Sequence, residues 1–573
     1  VILRRLTEYA ARLEREQELP PPMYDQSPVR WSIELANGGA PEGFIPLGGD
    51  EKKNRRGETL TVPYIVRARK IKPKLLADNG EYVLGIPRSA TDADNVAERH
   101  RQFVDLVEQC AEETDEPSVQ SVVEFLRAWD AGEHRELLPE GFDPQDNVTF
   151  RVRGVRPAVD LKSVQNFWAG NTLDEDNPVM RCLVTGELGP VEQRLPVKVK
   201  GLTGIGGQSA GTSIVSANAP AFESYGLENS LTSPISRDAG ERFGKALNHL
   251  LQGESSRIYV GSLVYVFWTR EQSGFGLDLL REPDPGQVKN LFDSARTGTE
   301  SREKGNDFYT LALSASGGRA VVRDWLETTV PEAAESLRRW FRAQRVVDAR
   351  GESADPLGLY ALAASGYRDA AKEMTPQIPA SLVRVAVKGG MLPEELLAQA
   401  VRRNRAEGDV TRPRAALMKL VLSYERGGGE LTESAEALES LDQENKDRAY
   451  NCGRLLAELE ELQRAAIPGV KATIVDRYYG SASSAPASVF GTLMRSSNAH
   501  LGKVRKERPG VGAAIQDRIG EIATNIGSDF PTTLNLRDQA AFALGYYHQR
   551  AQNRADARAA REAREVKENR EES

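Results

Sequence analysis

Cysteine is scarce in this chain: three occur in 573 residues. Cys110, Cys182 and Cys452 lie far apart with no C-x-x-C pair. That argues against a disulfide framework or a cysteine-rich zinc site, and it fits a reducing cytoplasm, the expected location. Histidine is nearly as rare. His100, His134, His249, His500 and His548 stand alone, without the H-x-x-x-H or H-E-x-x-H spacing that presents two imidazoles to one metal. No Gly-Lys-Ser/Thr follows a glycine loop, so a P-loop is absent, and no Asp/Glu/Lys trio has nuclease-like spacing. No apolar run approaches the roughly eighteen residues a membrane helix needs. The opening Val1-Ile-Leu-Arg-Arg-Leu is too broken by charge for a secretory signal. A surplus of cations is missing as well: 75 Lys and Arg against 83 Asp and Glu leave a net charge of −8. Any hold on a polyanion must therefore come from local clusters.

What the chain does have is enough apolar residues for real cores, 40% with six Trp and sixteen Phe, and a length that suggests about three to four domains. The expected fold class is α+β. A mixed region over 1–330 has antiparallel strands and flanking helices. A helical connecting region follows over 331–444, then an all-helical C-terminal bundle over 445–552, and a charged, frayed tail over 553–573. Leu3, Leu6 and Leu13 predict a first helix that Pro20-Pro21-Pro22 stops. Val96 to Val107 and Val119 to Trp129 each put their apolar residues on one helical face, and His100 packs within the first. Val148, Phe150 and Val152 alternate with Thr149, Arg151 and Arg153 as a strand. Residues 238–251 read as a helix capped by Asp238, Arg257–Trp268 as a strand pair broken at Gly261, and Asp307–Arg323 as a hairpin turning at Ser316-Gly317-Gly318. Pro331 opens an amphipathic helix. Beyond it only helical spacing appears, as in Leu455, Leu456, Leu459 and Leu462, with Gly427-Gly428-Gly429 as a breaker.

The densest stretch runs from Cys182 to Gly226. Lys198 and Lys200 sit on an alternating run. Gly201, Gly204, Gly206, Gly207 and Gly211 follow, interleaved with Gln208, Ser209, Thr212, Ser213, Ser216 and Asn218, and Phe222 and Tyr225 close the loop. Glycines permit positive φ and close backbone approach, and free amides beside lysine suit phosphates or base edges. Three readings stay open on residues alone: a structural turn cluster, a nucleic-acid loop, and a serine hydrolase using Ser209 of Gly207-Gln-Ser-Ala-Gly211. The hydrolase motif works where a strand turns sharply into a helix, and Ala-Gly-Thr-Ser-Ile-Val-Ser is poor helix material. Cys182 precedes Leu183-Val184 and reads as a packed cysteine. A second cationic stretch, Lys52 to Lys74, holds Lys52, Lys53, Arg55, Arg56, Arg67, Arg69, Lys70, Lys72 and Lys74 against a lone Glu58, with Asn79 and Tyr82 just beyond. It reads as a phosphate-backbone patch, beside the plainer reading of a solvated face. The C-terminal bundle carries Arg448, Arg454, Lys471, Arg477, Arg495, Lys503, Arg505, Lys506 and Arg508.

Several segments, in order, resemble the type I-C CRISPR-associated large subunit of the Cascade surveillance complex: Leu19–Tyr24, Asp78–Gly85, Arg181–Glu187, Lys198–Gly201, Gly207–Ser209, Ala221–Gly226, Asp307–Tyr309 with Arg319 and Trp325, Tyr450–Leu455 and Asp476–Gly480. Pro196 departs from the family's pattern, which favours histidine there. The resemblance implies a non-catalytic subunit without cofactors, at the end of a guide-RNA-bound filament. It tests duplex DNA for a protospacer-adjacent motif, helps open an R-loop, and supports recruitment of a helicase-nuclease. The implied partners are guide crRNA, target double-stranded DNA, the backbone-filament subunits, the 5′-handle-binding subunit, the helicase-nuclease, and a small helical subunit made from the chain's own C-terminal region, beginning near Tyr450. No membrane is implied. The implied DNA-binding residues are Lys72, Lys74, Asn79, Tyr82, Lys198, Lys200, Gly206, Gly207, Gln208, Ser209, Ser213 and Asn218. Gln208 would be reader and wedge, Lys198 or Lys200 a finger, and Lys72, Lys74 and Asn79 a grip on the flanking duplex. Displaced-strand contacts would be Arg477, Arg495, Lys503, Arg505 and Lys506. A scaffold that touches only protein is a third reading.

Overall fold

The computed structural model describes residues 1–48, 57–65, 67, 71–130, 134, 137–172, 177–217, 219–297, 305–424 and 438–571. Lys52, Lys53, Arg55, Arg56, Arg69, Lys70, Asn218 and the Gly427–Gly429 breaker lie outside them. The chain divides into two compact units. The first comprises Val1–Gly201, Gln208–His249 and Gly317–Arg319; the second comprises Leu202–Gly207, Leu250–Ser316 and Ala320–Ser573. The division at 249/250 falls inside the region 1–330 that the sequence reading treats as one.

In the first unit the chain runs α1 (Ile2–Arg15), β1 (Tyr24–Val29), β2 (Trp31–Leu35), β3 (Pro41–Pro46), β4 (Glu58–Pro63), β5 (Ala77–Asn79), α2 (Gly80–Val83), α3 (Ala93–Thr114), α4 (Pro117–Ala128), β6 (Asn147–Val152), α5 (Lys162–Asn171), β7 (Val179–Arg181), β8 (Leu188–Pro190) and α6 (Arg237–Gln252). A four-stranded sheet has the order β3-β2-β6-β5. It is antiparallel except for the parallel pair β2–β6. Ile33, Phe150 and Val152 from this sheet share one core with Phe103 and Val107 of α3 and Val119, Val122 and Phe125 of α4. Phe103, Val107, Val119, Val122, Phe150 and Val152 are among the apolar residues that the helical and period-two patterns put on one face, and Ile33 and Phe125 join them.

Helix α1 ends at Arg15 with Glu16 as its C-cap, before Pro20-Pro21-Pro22 that the sequence predicts as its stop, and the proline carbonyls still need donors. Lys245 Nζ on α6 supplies them, at 3.1 Å from Pro20 O and 2.7 Å from Pro21 O. Glu241 accepts from Met23 N at 2.5 Å, and Trp168 Nε1 donates to Met23 O at 2.8 Å. Helix α6 opens at Arg237, and the hydroxyl of Ser236 accepts from Ala239 N at 3.5 Å. Asp238 thus sits in the first turn rather than at the cap.

The second unit contains β9 (Arg257–Val260), β10 (Leu263–Thr269), α7 (Pro285–Thr297), β11 (Asp307–Ser316) and β12, whose strand spans Arg319–Thr329. Their sheet order is β12-β11-β10-β9. Helices follow: α8 (Val330–Ala343), α9 (Leu359–Ala364), α10 (Ala370–Glu373), α11 (Gln377–Lys388), α12 (Glu394–Glu407), α13 (Arg412–Ser423), α14 (Arg448–Ala466), α15 (Ile474–Ala482), α16 (Pro486–Glu507), α17 (Pro509–Ile526) and α18 (Leu536–Glu571). The fold is therefore α+β, with its strands in the N-terminal part and helices after them. Helix α8 starts with a reciprocal cap: Thr329 Oγ1 accepts from Glu332 N at 3.4 Å, and the Glu332 carboxylate accepts from Thr329 N at 3.2 Å.

Two glycines set how closely α14 and α18 cross. A Cβ on Gly453 would stand 1.9 Å from Phe542 O, and one on Gly545 would stand 2.0 Å from Tyr450 O. The Tyr450–Leu455 segment is thus a packing motif. Helix α18 does not fray at 553 as the composition suggests. It continues to Glu571, with Arg554 donating to Ala349 O at 3.2 Å and Arg558 pairing with Glu352 at 2.9 Å.

Candidate nucleic-acid interface

The cationic site of the first unit starts from the strand-like run after Leu195. Val199 is buried and exchanges backbone hydrogen bonds of 2.8 Å with Thr212. Period-two alternation then turns Lys198 and Lys200 together to the opposite side, where both are half-buried. Asn248 of α6 latches the run: its Oδ1 accepts from Lys200 N at 2.8 Å and its Nδ2 donates to Lys198 O at 2.9 Å.

Lys200 Nζ reaches Asp25 Oδ2 at 2.6 Å. The pair is partly exposed, so it contributes below about 1 kcal/mol to stability; its effect is to fix the ammonium in place. Lys74 shares this neighbourhood. Burial lowers its pKa, Asp78 and Asp25 oppose that shift, and Arg67 and Lys200 add to it. Lys198 Nζ donates to Ser213 Oγ at 2.6 Å, and its pKa is lowered by burial and by Arg194. Lys74 and Lys200 thus gather near Asp25, while Lys198 feels Arg194. Asp25 carries no sequence signal, being 175 residues from Lys200, and Arg194, just before the lysine run, reads as an ordinary charged residue.

The Asp78–Tyr82 segment is a folded knot. Buried Asp78 accepts from Lys74 N and Asn79 N, both at 2.8 Å, and pairs with Arg67. Asn79 caps α2, its Oδ1 accepting from Tyr82 N at 3.3 Å. Lys72 belongs to the same loop through its carbonyl, which accepts from Arg67 Nε at 2.7 Å. Tyr82, one of the implied DNA-binding residues, is a core residue rather than an open ring. It is only 5% exposed, packed in the core with the Arg67 guanidinium 4.1 Å from its ring centroid. His100 supports it from beneath, its Nδ1 2.9 Å from Tyr82 O, with burial lowering the imidazole pKa.

The glycine loop is not one open cradle. Residues 202–207 form a tight turn of the second unit, where Gly207 N donates to Leu202 O at 2.9 Å. Gly206 has φ +97°, and a Cβ there would stand 2.9 Å from Ala315 O; one on Gly207 would meet Leu202 at the same distance. Both glycines are required by this turn, so the expectation that they present open amides to a ligand is corrected. Gln208 and Ser209 are exposed in the first unit. Gln208 N donates to Gly317 O at 3.2 Å and Ser213 N to Gly318 O at 2.8 Å, so the hairpin turn holds the loop from behind. Arg319 lies 4.3 Å from the Phe222 ring centroid, and Tyr225 is fully exposed at φ +54°. No helix follows Ser209, and among the described residues it bonds no histidine, so the strand–turn–helix elbow that a G-x-S-x-G nucleophile needs is not built.

Cys182 is buried at the β7–β8 turn. Burial pushes its thiol up, but hydrogen bonds from the amide and hydroxyl of Ser236 and of Thr185 outweigh it and hold the pKa at about 7. Among the described residues no three His, Cys, Asp or Glu side chains are placed to share a metal. No described helix is long and apolar enough to cross a membrane.

In the second unit, Arg495, Lys503, Arg505 and Lys506 are all exposed on α16. At 100° per residue, Arg495, Lys503 and Lys506 fall within one face and Arg505 lies to its side. The stem of Arg505 lies against Gly512, and Lys503 approaches Glu507 at 3.9 Å. Arg477 on α15 is exposed and stands 5.2 Å from the ring centroid of Tyr478.

No curated protein matches the chain. A family model described as "CRISPR-associated protein (Cas_Csd1)" matches residues 6–554, nearly the whole length. The ordered segments that resemble a Cascade large subunit all lie within that span. The chain belongs to this Cas_Csd1 family and is a CRISPR-associated protein of the Cascade type, working with other Cas proteins and nucleic acid.

Proposed function

We propose that this protein is the non-catalytic large subunit of a type I-C surveillance complex, and that it reads the protospacer-adjacent motif in duplex DNA and helps open the R-loop. The observation that carries this reading is the gathering of Lys74 and Lys200 near Asp25, with Lys198 on the same alternating run as Lys200 and Arg194 close to it, in the unit that also exposes Gln208 on a braced loop. Phosphates draw ammonium groups and position the protein, and a side-chain amide supplies the donor and acceptor that discriminate base edges. Base pairing with the guide then reads the remaining sequence. A duplex phosphate reaching Lys200 competes with Asp25 for the same ammonium. Asn79 spends its oxygen on the cap and keeps its amide nitrogen for a base or phosphate. The exposed α16 cations and Arg477 suit the displaced strand, whose presentation supports helicase-nuclease recruitment.

The experiment uses the assembled complex and target duplex over a salt series. Lys198→Ala with Lys200→Ala should weaken binding several-fold and lower the salt slope by about two. An unchanged slope would remove both lysines from the interface. Gln208→Ala should narrow the difference between correct and incorrect adjacent motifs; equal loss on both would leave it a structural role only.

A further inference from the structure

The helical unit holds a cavity that none of these roles uses. It measures about 540 Å³ and is lined by Arg402 and Arg405 of α12, Gly480 of α15, Leu536 and Gln539 of α18, and the small side chains of Ala398 and Ala406. Both arginines are exposed, and neither has a hydrogen-bond or ion-pair partner among the described residues. The carboxylates nearest in the chain are already engaged. Glu407 is held between Arg403 and Arg414. Asp409 pairs with Arg550 at 2.7 Å, Asp476 accepts from Thr473 N at 2.6 Å, and Asp538 accepts from Asn535 N at 3.0 Å. Among the described residues neither guanidinium group therefore forms an ion pair, and both line an open space. Gly480 keeps the wall low beside Arg405: a Cβ there would stand 3.9 Å from Arg405 Nε, so the position has room for a side chain but carries none.

We infer that this cavity is a phosphate site that takes the phosphodiester backbone of a single nucleic-acid strand, with Arg402 and Arg405 as its two anion-binding side chains. Guanidinium matches phosphate oxygens in two-pronged geometry and is more weakly hydrated than ammonium, so an unpaired pair of arginines suits this anion better than lysines would. The small residues along α12 and α15 let a backbone come close, and the cavity has room for a phosphate with part of its sugar rather than for a duplex. The inference rests on the reading of the chain as a nucleic-acid-binding subunit, but it concerns residues outside the Lys198 loop and outside α16.

The test uses the full chain with a single-stranded oligonucleotide lacking any adjacent motif, titrated over a salt series. Arg402→Gln with Arg405→Gln should weaken binding several-fold and lower the salt slope by about 1.4, two phosphates at single-strand stoichiometry. Gly480→Glu, which sets a carboxylate beside Arg405, should reproduce the loss, whereas Gly480→Gln, equal in size, should not. If Gly480→Glu fails to fold, judged by thermal unfolding, the arginine pair decides alone. Unchanged affinity and slope in the arginine pair, or equal loss in both Gly480 variants, overturns the inference. So does full competition by a mononucleotide or by a polyglutamate peptide at the same charge concentration, because either would assign the site to a free phosphate compound or an acidic protein. Lys198→Ala with Lys200→Ala should leave this single-strand binding intact. A failure at the Lys198 loop and a failure here are thus read separately.

Discussion

At the scale of single residues, the cationic site is held by groups that themselves titrate or pair. Lys198 sits against Arg194 and is partly removed from water, so its pKa lies below the ordinary lysine value. A lysine is charged below its pKa, so the hold on phosphate proposed for Lys198 is present at neutral pH and is lost as pH rises through the lowered value. Duplex affinity of the complex should therefore begin to fall at a lower pH than an unperturbed lysine would give. Lys198→Arg should remove that alkaline loss while keeping neutral-pH binding, as read by a pH series of binding isotherms. Lysines 198 and 200, Gln208 and Asn79 were all legible as polar residues in a glycine-rich or cation-rich context. Asp25, Arg194 and Asn248 were not. Asp25 and Asn248 owe their roles to proximity in space: Asn248 is 48 residues from the Lys200 amide it binds and Asp25 is 175 from the Lys200 ammonium. Tyr82 is ambiguous in the sequence, because an aromatic beside a cationic run looks the same whether its ring faces water or the core.

At the scale of elements, the crossing of α14 and α18 carries two separate expectations. Gly453→Ala places a methyl against Phe542 O where only 1.9 Å is available, so the helices must part. A cost of about 1–3 kcal/mol is expected, measured as a lowered thermal midpoint. Between the same helices His548 is fully buried, with Nδ1 3.0 Å from Tyr450 Oη. Burial, with Lys419 nearby, lowers its pKa to about 3. An ordinary histidine titrates near 6.5, so between those values the unfolded chain binds a proton that the folded one does not. Stability is then present above about 6.5 and is lost as pH falls toward 3, at up to roughly 1.4 kcal/mol per pH unit. His548→Phe should flatten that acid slope in unfolding curves taken at successive pH values. Equal acid slopes in variant and parent would assign the loss to the carboxylates instead. The helix itself was legible; that it continues to Glu571 was not. Arg554 and Arg558 find partners at Ala349 and Glu352, some two hundred residues upstream, and no local pattern contains those contacts.

At the scale of the whole molecule, a net charge of −8 limits what the chain can hold without its complex. Long-range repulsion opposes a polyanion, and only local clusters attract it. The isolated chain should thus bind random duplex weakly, with a salt slope of only about two to three from the Lys74, Lys198 and Lys200 cluster. A slope near that of a broadly basic DNA-binding protein would mean that far more cations engage. Composition, periodicity and turn residues determined by themselves that the chain is α+β, that its strands precede its helices, and where many elements begin, because those properties depend on neighbours within about a turn or a hairpin. Only the tertiary structure decided that the glycine run divides between two units, that Tyr82 is core, and that Arg402 and Arg405 line a cavity without an ion-pair partner among the described residues. Burial and electrostatic pairing are set by residues brought together from distant parts of the chain, and a linear pattern carries no record of which ones meet.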